Sequence, residues 1–190
     1  MTQAKTKERK GHYYKGDVIN LRAIKKEDYT EGMARWANDP DFNRYLTHGI
    51  RPTSVAAMED LYEDLIKKDH VIFTVVDKKT EKAVGFVGIF NIRPQPRVAE
   101  YVIHIGEKSF WGTGAASEAT DFILKYAFDT LNINKLWLGV AGPNSRAVRF
   151  YEKKGFKHEG NLRAEIFREN RYYSLLRMGM LREEYEKRNG

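Results

Sequence analysis

The 190-residue chain contains no cysteine. That excludes a disulfide framework, a thiolate metal site and a cysteine nucleophile. It also suits a reducing compartment, so a cytoplasmic location is the expectation. Proline is scarce, at five residues, and no Pro/Gly/Ser-rich linker divides the chain. There is no repeat of fixed period and no low-complexity tract. No apolar run approaches the roughly 18 residues that a membrane span needs, so no membrane contact is expected. The N-terminus lacks the apolar segment of a secretory signal. The five histidines show neither H-x3-H nor H-E-x-x-H spacing, so no metal site is expected either.

What is present is one domain's worth of chain, with 42% apolar and 31% charged residues. That length can bury one sizeable core without covalent staples. The formal charge is +7, from 33 Lys+Arg against 26 Asp+Glu. Part of the excess lies in residues 1–16, where Lys5, Lys7, Arg9, Lys10 and Lys15 face only Glu8. This stretch has no apolar periodicity. It reads as a solvated tail, or as a basic arm touching RNA, a ribosome or another polyanion. The folded domain is assigned to residues 17–185.

Along that domain the pattern reads β-α-α-β-β-β-α-β-α-β-β. Residues 18–23 form a first strand. Tyr29, Met33 and Trp36 recur at helical spacing. Thr53 or Ser54 offers an N-cap to a second helix, on which Val55, Met58, Leu61, Tyr62 and Leu65 share one face. From His70, two β-rich runs flank a polar turn, and a third run occupies residues 97–106. A long helix begins near Gly114, with Ala119, Phe122, Ile123, Tyr126 and Ala127 on its apolar face. A buried-looking strand follows over residues 135–142. Asn144 or Ser145 caps a short helix that stops at Gly155. Two strand-like runs close the chain, joined by a turn at Glu169-Asn170. Antiparallel strands thus feed a central β-α-β unit, which sets a helix N-terminus beside the C-terminal end of a strand, a place suited to an anion.

Two stretches carry chemistry. In the first, a strand runs through Phe110-Trp111-Gly112-Thr113-Gly114-Ala115-Ala116 into a helix. Small residues let a ligand approach the backbone, and the first helical N–H groups are unpaired at the positive end of the dipole. Such a loop can hold a pyrophosphate with main-chain donors, or it can be a tight turn with no ligand. The full G-x-G-x-x-G of a dinucleotide fold is absent. The second stretch, residues 142–160, places Ala147 and Tyr151 four apart on one face of the short helix.

Together these stretches resemble the GCN5-related N-acetyltransferase superfamily, and within it the RimJ/RimL-like branch. The acyl-CoA signature [Gln/Arg]-x-x-Gly-x-[Gly/Ala] aligns with residues 111–116, where Trp111 departs from Gln or Arg. Ser117-Glu118-Ala119 follows where relatives often carry Ser/Thr-Glu-Ala. The motif Asn-x-x-Ala-x-x-x-Tyr-x-x-x-Gly-Phe is met by Asn144, Ala147, Tyr151, Gly155 and Phe156, and the branch's tail by Glu159, Gly160, Leu162 and Arg163.

The resemblance implies a single-domain α/β (α+β) fold. Its mixed, mostly antiparallel seven-stranded sheet would be flanked by helices and splayed between its fourth and fifth strands. Acetyl-CoA would enter the splay. Its pantetheine would pair with the strand edge at Val102, Ile103, His104 and Ile105, and its pyrophosphate would rest on Trp111, Gly112, Thr113, Gly114, Ala115 and Ala116. Asn144 and Ala147 would flank the pantetheine. Arg146, Arg149, Lys153 and Lys154 would reach the adenosine phosphates, or else form a solvated helix face. Tyr151 would protonate the leaving thiolate, and Glu100 or His104 would take the amine proton.

The acceptor implied by the branch is the α-amine of a protein N-terminus. A polyamine, amino sugar or antibiotic is the alternative small amine, and a non-catalytic CoA-binding or RNA-associated protein is the non-enzyme reading. The acceptor pocket would be built from residues 25–70, and the chain would act as a monomer or homodimer.

Overall fold

The computed structural model describes residues 11–46 and 50–189. The chain runs β1 (His12–Lys15), β2 (Ile19–Ala23), α1 (Lys26–Ala37), α2 (Pro40–Asn43), α3 (Val55–Ile66), β3 (Val71–Asp77), β4 (Ala83–Arg93) and β5 (Val98–Ile105). It continues through α4 (Ala115–Lys125), β6 (Lys135–Ala141), α5 (Ser145–Lys154), β7 (Lys157–Arg168), β8 (Arg171–Leu181) and α6 (Arg182–Asn189). One sheet holds all eight strands in the order β1-β2-β3-β4-β5-β6-β8-β7. Every neighbouring pair is antiparallel except β5 and β6.

The mixed α/β fold is the expected one, with two corrections. The sheet has eight strands rather than seven, because His12–Lys15 pairs antiparallel with β2 instead of belonging to a free tail. Tyr13 anchors this strand on Phe73 (ring centroids 5.2 Å) and Tyr126 (5.6 Å). The tail expected over residues 1–16 therefore ends before His12, and its residues 1–10 lie outside the described residues. At the other end, α6 carries the fold past residue 185.

Two apolar clusters sit on opposite faces of the sheet. The larger joins inward residues of β2 to β6 and β8 to Ala119, Ile123, Ala127 and Phe128 of the segment that begins with α4. The smaller packs Tyr29, Met33 and Trp36 of α1 on Phe86 of β4, with Met58, Tyr62 and Leu65 of α3 outside them. The helical spacing of Tyr29, Met33 and Trp36 explains why α1 lies flat there. A Cβ on Gly106 would stand 1.9 Å from the Trp36 ring, so glycine is what lets the indole seat against the end of β5.

Helix ends follow local chemistry. Ser54 Oγ accepts from Ala57 N–H (3.1 Å) at the start of α3. Asn144 Oδ1 accepts from Ala147 N–H (3.1 Å) at the start of α5. Gly155 ends α5 at φ +95°. Glu169 and Asn170 both have positive φ, which closes the β7–β8 hairpin in the two-residue turn its sequence suggests.

Candidate active site

The site grows from one break in the sheet. β5 and β6 pair only at Val98↔Lys135, Ala99↔Leu136 and Glu100↔Trp137. Beyond Glu100 the two strands part, while β5 stays on β4 through Ile105 and β6 stays on β8 through Ala141. The splay expected between the fourth and fifth predicted strands is this gap. It leaves the β6-side edge of β5 without a strand partner over residues 102–105. Gly106 N–H turns toward β4, donating to Val84 O (2.9 Å), whereas Ile105 O faces away and accepts from Trp111 Nε1 (2.7 Å). Alternation along an extended strand then places the N–H and C=O of Ile103 on the open edge.

Trp111, the departure from the acyl-CoA signature, thus uses its indole N–H to pin the loop to the end of β5. The loop that follows holds Gly112 at φ +83° and Gly114 at φ +97°, left-handed conformations that glycine alone adopts without strain. Thr113 Oγ1 is tied to Phe110 O (2.8 Å). Among the described residues, no partner takes the N–H groups of Gly112, Gly114, Ala116 or Ser117. They cluster at the start of α4, the donor set an oxyanion pair needs. Arg146 Nη2 lies 3.8 Å from where a Cβ on Gly112 would stand. Arg149 and Lys153 are exposed on the same short helix.

Lys154 corrects the reading of these cations as one set. It is buried, and its ammonium donates to both oxygens of Asp121 (2.6 Å each) and to Ser117 Oγ (2.7 Å). It is therefore not a free phosphate ligand.

β5 presents its two faces differently. Ala99 and Tyr101 are buried toward α4, where the Tyr101 hydroxyl meets Thr120 Oγ1 at 2.7 Å. Tyr151 of α5 joins this side, with its ring 6.2 Å from Tyr101 and 6.0 Å from Phe156. Burial pushes its phenol up to about 12. A group so raised stays protonated near neutrality and can donate but not remove a proton. Ala147 packs one turn before it.

Glu100, Val102 and His104 point to the other face. Glu100 accepts from Asn91 Nδ2 (2.6 Å) at the point where the splay closes. His104 lies in register with Phe86, edge-on to Phe42 of α2 at 5.8 Å. Sequence spacing grouped Glu100 and His104 correctly on one face, but they lie about 13 Å apart along the strand at its usual rise. Among the described residues no cluster of His, Asp and Glu could hold a metal ion. No helix is long and apolar enough to cross a membrane.

The helices over this second face are fixed to the end of β5. Trp36 Nε1 donates to Glu107 Oε1 (3.1 Å), Arg35 also pairs with Glu107, and Lys108 bridges Asp39 (2.9 Å) and Asp41 (2.5 Å). Glu118 has a structural role that its place in Ser117-Glu118-Ala119 does not announce. Glu118 accepts from the backbone N–H groups of Asp17 (2.7 Å) and Val18 (2.9 Å), so it buttresses the β1–β2 turn.

Known proteins match this arrangement. Residues 19–157 fit the family described as the acetyltransferase (GNAT) domain. The spermidine N(1)-acetyltransferase of Escherichia coli (strain K12) is 34% identical over 167 residues, covering 88% of each chain. The SPbeta prophage-derived uncharacterized N-acetyltransferase YokL of Bacillus subtilis is 30% identical over 178 residues, 94% of this chain and 98% of its own. The crystal structure of spermidine N-acetyltransferase from Vibrio cholerae, in complex with CoA and spermine, superposes with a TM-score of 0.80. It is 31% identical and covers 90% of this chain and 99% of that one. Acetyl-CoA is accordingly the cosubstrate, and the chain belongs to the GNAT family of N-acetyltransferases.

Proposed function

We propose that this enzyme acetylates a primary amine of a polyamine such as spermidine. The observation that carries the reading is the likeness to spermidine N(1)-acetyltransferases along nearly the whole chain. Charge supports it. Residues 25–69, which include the cover over the acceptor face, hold ten Asp and Glu against seven Lys and Arg, in a chain whose net charge is +7. An acidic cover on a basic protein attracts a polycation where it is needed. The likeness weighs toward a small amine rather than the protein N-terminal α-amine that the RimJ/RimL-like motifs suggest.

The roles follow from the two faces of β5. The edge that lacks a strand partner at residues 102–105 receives the pantetheine amides, chiefly through Ile103, and the N–H groups of Gly112, Gly114, Ala116 and Ser117 receive the pyrophosphate, with Arg146 beside them. Asn144 Oδ1 serves the α5 cap, so its contribution to the pantetheine is the Nδ2 donor. The amine approaches from the α1–α3 side. A polyamine arrives protonated, so it must lose a proton before it attacks the thioester carbonyl. Glu100 stands at the closing point of the splay to take that proton, and His104 is farther along the strand. The Ile103 N–H on the open edge stabilises charge on the carbonyl oxygen. Tyr151, on the opposite face, donates to the sulfur as it leaves. The thiolate shares the same partly buried, aromatic-lined site, which raises its own proton affinity toward that of the phenol.

One feature favours a second reading. A cavity between the C-terminal end of α2 and the β7–β8 hairpin is lined by Arg44, Tyr45, Ala141, Arg168, Glu169 and Tyr173, among others. Its two guanidiniums already hold oxygens of the chain itself, Arg168 the carbonyls of Leu46 (2.7 Å) and Phe167 (3.0 Å) and Arg44 the Glu169 carboxylate (3.9 Å), which is the oxygen chemistry of a peptide rather than of a polycation. The test is thiol release from acetyl-CoA with spermidine, spermine and a set of free N-terminal peptides as acceptors. The cysteine-free chain adds no thiol background. The proposal expects kcat/KM for spermidine to exceed that for every peptide by at least about 100-fold, on the order of the discrimination a charged pocket supplies. Peptides preferred over polyamines would restore the N-terminal reading.

A further inference from the structure

Lys154 is a buried cation that none of the proposed chemical steps uses. Its side chain retains 10% exposure, and it is the last residue of α5, three after Tyr151. Its three hydrogen bonds all go to α4: two to Asp121 and one to Ser117. Asp121 is 59% exposed at its side chain, so water already solvates it and it does not need a buried partner. Ser117 is different. It belongs to the first turn of α4, and its own N–H is one of the unpaired donors beside Gly112 and Gly114. The ammonium is thereby held within about one helical turn, roughly 5 Å, of the place where main-chain donors converge.

We propose that Lys154 is a positioning residue that sets the anion affinity of the 112–117 loop through Ser117 and Asp121, without touching the ligand. The proposal rests on the reading that this loop holds the CoA pyrophosphate. The positive end of α4 and the Lys154 charge add at the loop, and Asp121 subtracts from them. Because Lys154 lies on the same helix as Tyr151, a clamp holding α5 on α4 is the competing explanation. The two explanations differ in sign. If the pair acts through charge, removing Lys154 weakens CoA binding and removing the Asp121 charge strengthens it. If the pair acts only as a clamp, both changes loosen the two helices and both weaken binding.

The experiment is calorimetric titration of CoA into the full chain, its Lys154→Met and Lys154→Arg variants, and its Asp121→Asn variant, at low and high salt. Lys154→Met should raise Kd by about five- to tenfold, Lys154→Arg should stay within about twofold of the wild type, and Asp121→Asn should lower Kd by about two- to threefold. These differences should shrink as salt rises. The kcat at saturating acetyl-CoA should stay within about twofold in all three variants, because Tyr151 keeps its place.

Weaker binding in both Lys154→Met and Asp121→Asn, or no change in either, overturns the proposal. Should Lys154→Met fail to fold, Asp121→Asn decides the matter alone. It keeps the lysine and alters an exposed group, and unchanged or weaker CoA binding in it refutes the role. Wild-type chain that binds no CoA contradicts the reading of the loop itself, and with it the proposal.

Discussion

At the scale of single residues, Tyr151 separates donation from packing. Tyr151→Phe keeps the ring against Tyr101 and Phe156 and removes only the hydroxyl, so kcat should fall by roughly 10- to 1,000-fold, with KM for acetyl-CoA nearly constant. Unchanged kcat with chemistry rate-limiting would make Tyr151 a packing residue. Its titration also marks stability. Burial raises the phenols of Tyr29 and Tyr151 to about 12, above their unfolded value of 10.0. A group whose pKa is raised by folding stabilises the native state below its unfolded pKa, and that contribution disappears as pH rises to the folded one. Urea midpoints should therefore fall between about pH 10 and pH 12, and fall less steeply in Tyr151→Phe. A flat profile would place the phenol in water. The Tyr151 motif was legible in sequence because its neighbours Asn144 and Gly155 act locally, as caps. Lys154 was not, because its partner Asp121 is 33 residues away and a Lys-Lys pair on a short helix looks like a solvated face.

At the scale of elements, two glycines fix separate junctions, one at the donor loop and one under α1. Gly114→Val puts a β-branched side chain at φ +97°, so it should raise KM for acetyl-CoA at least about tenfold by deforming the loop, while the fold survives. Unchanged KM would remove the loop from the site. Gly106→Ala acts elsewhere, because its Cβ would enter the Trp36 ring and push α1 off the end of β5. Chemical denaturation should show a loss of about 1–3 kcal/mol, the usual cost of overpacking. The order of most elements was readable from periodicity and turn residues, and the closing hairpin turns at Glu169-Asn170 as its residues suggest. β1 escaped because its four residues, HYYK, sit among charges and gain their apolar contacts from Phe73, Phe122 and Tyr126, far along the chain. The buttress from Glu118 to Asp17 and Val18 spans about 100 residues, and no local pattern announces it.

At the scale of the whole molecule, the sheet separates two chemistries. In the proposed arrangement the donor and the acid lie on the α4–α5 side, the acceptor and the base on the α1–α3 side, and the splay joins them. None of the proposed roles calls on the basic residues 1–10, which lie outside the described residues. Deleting residues 2–10 leaves β1 intact and should change kcat/KM for spermidine by less than about twofold. A large loss from the truncated, folded chain would tie that segment to catalysis. In the proposed mechanism the gap between β5 and β6 seats the thioester with the Tyr151 hydroxyl at its sulfur. The distance from the CoA sulfur to Tyr151 Oη in a crystal structure of the CoA complex tests it most directly. The predicted result is a sulfur inside the splay within about 3.5 Å of that oxygen, with the pyrophosphate on the N–H groups of residues 112–117. A sulfur outside the splay, or turned to the Glu100 face away from Tyr151, would contradict the account.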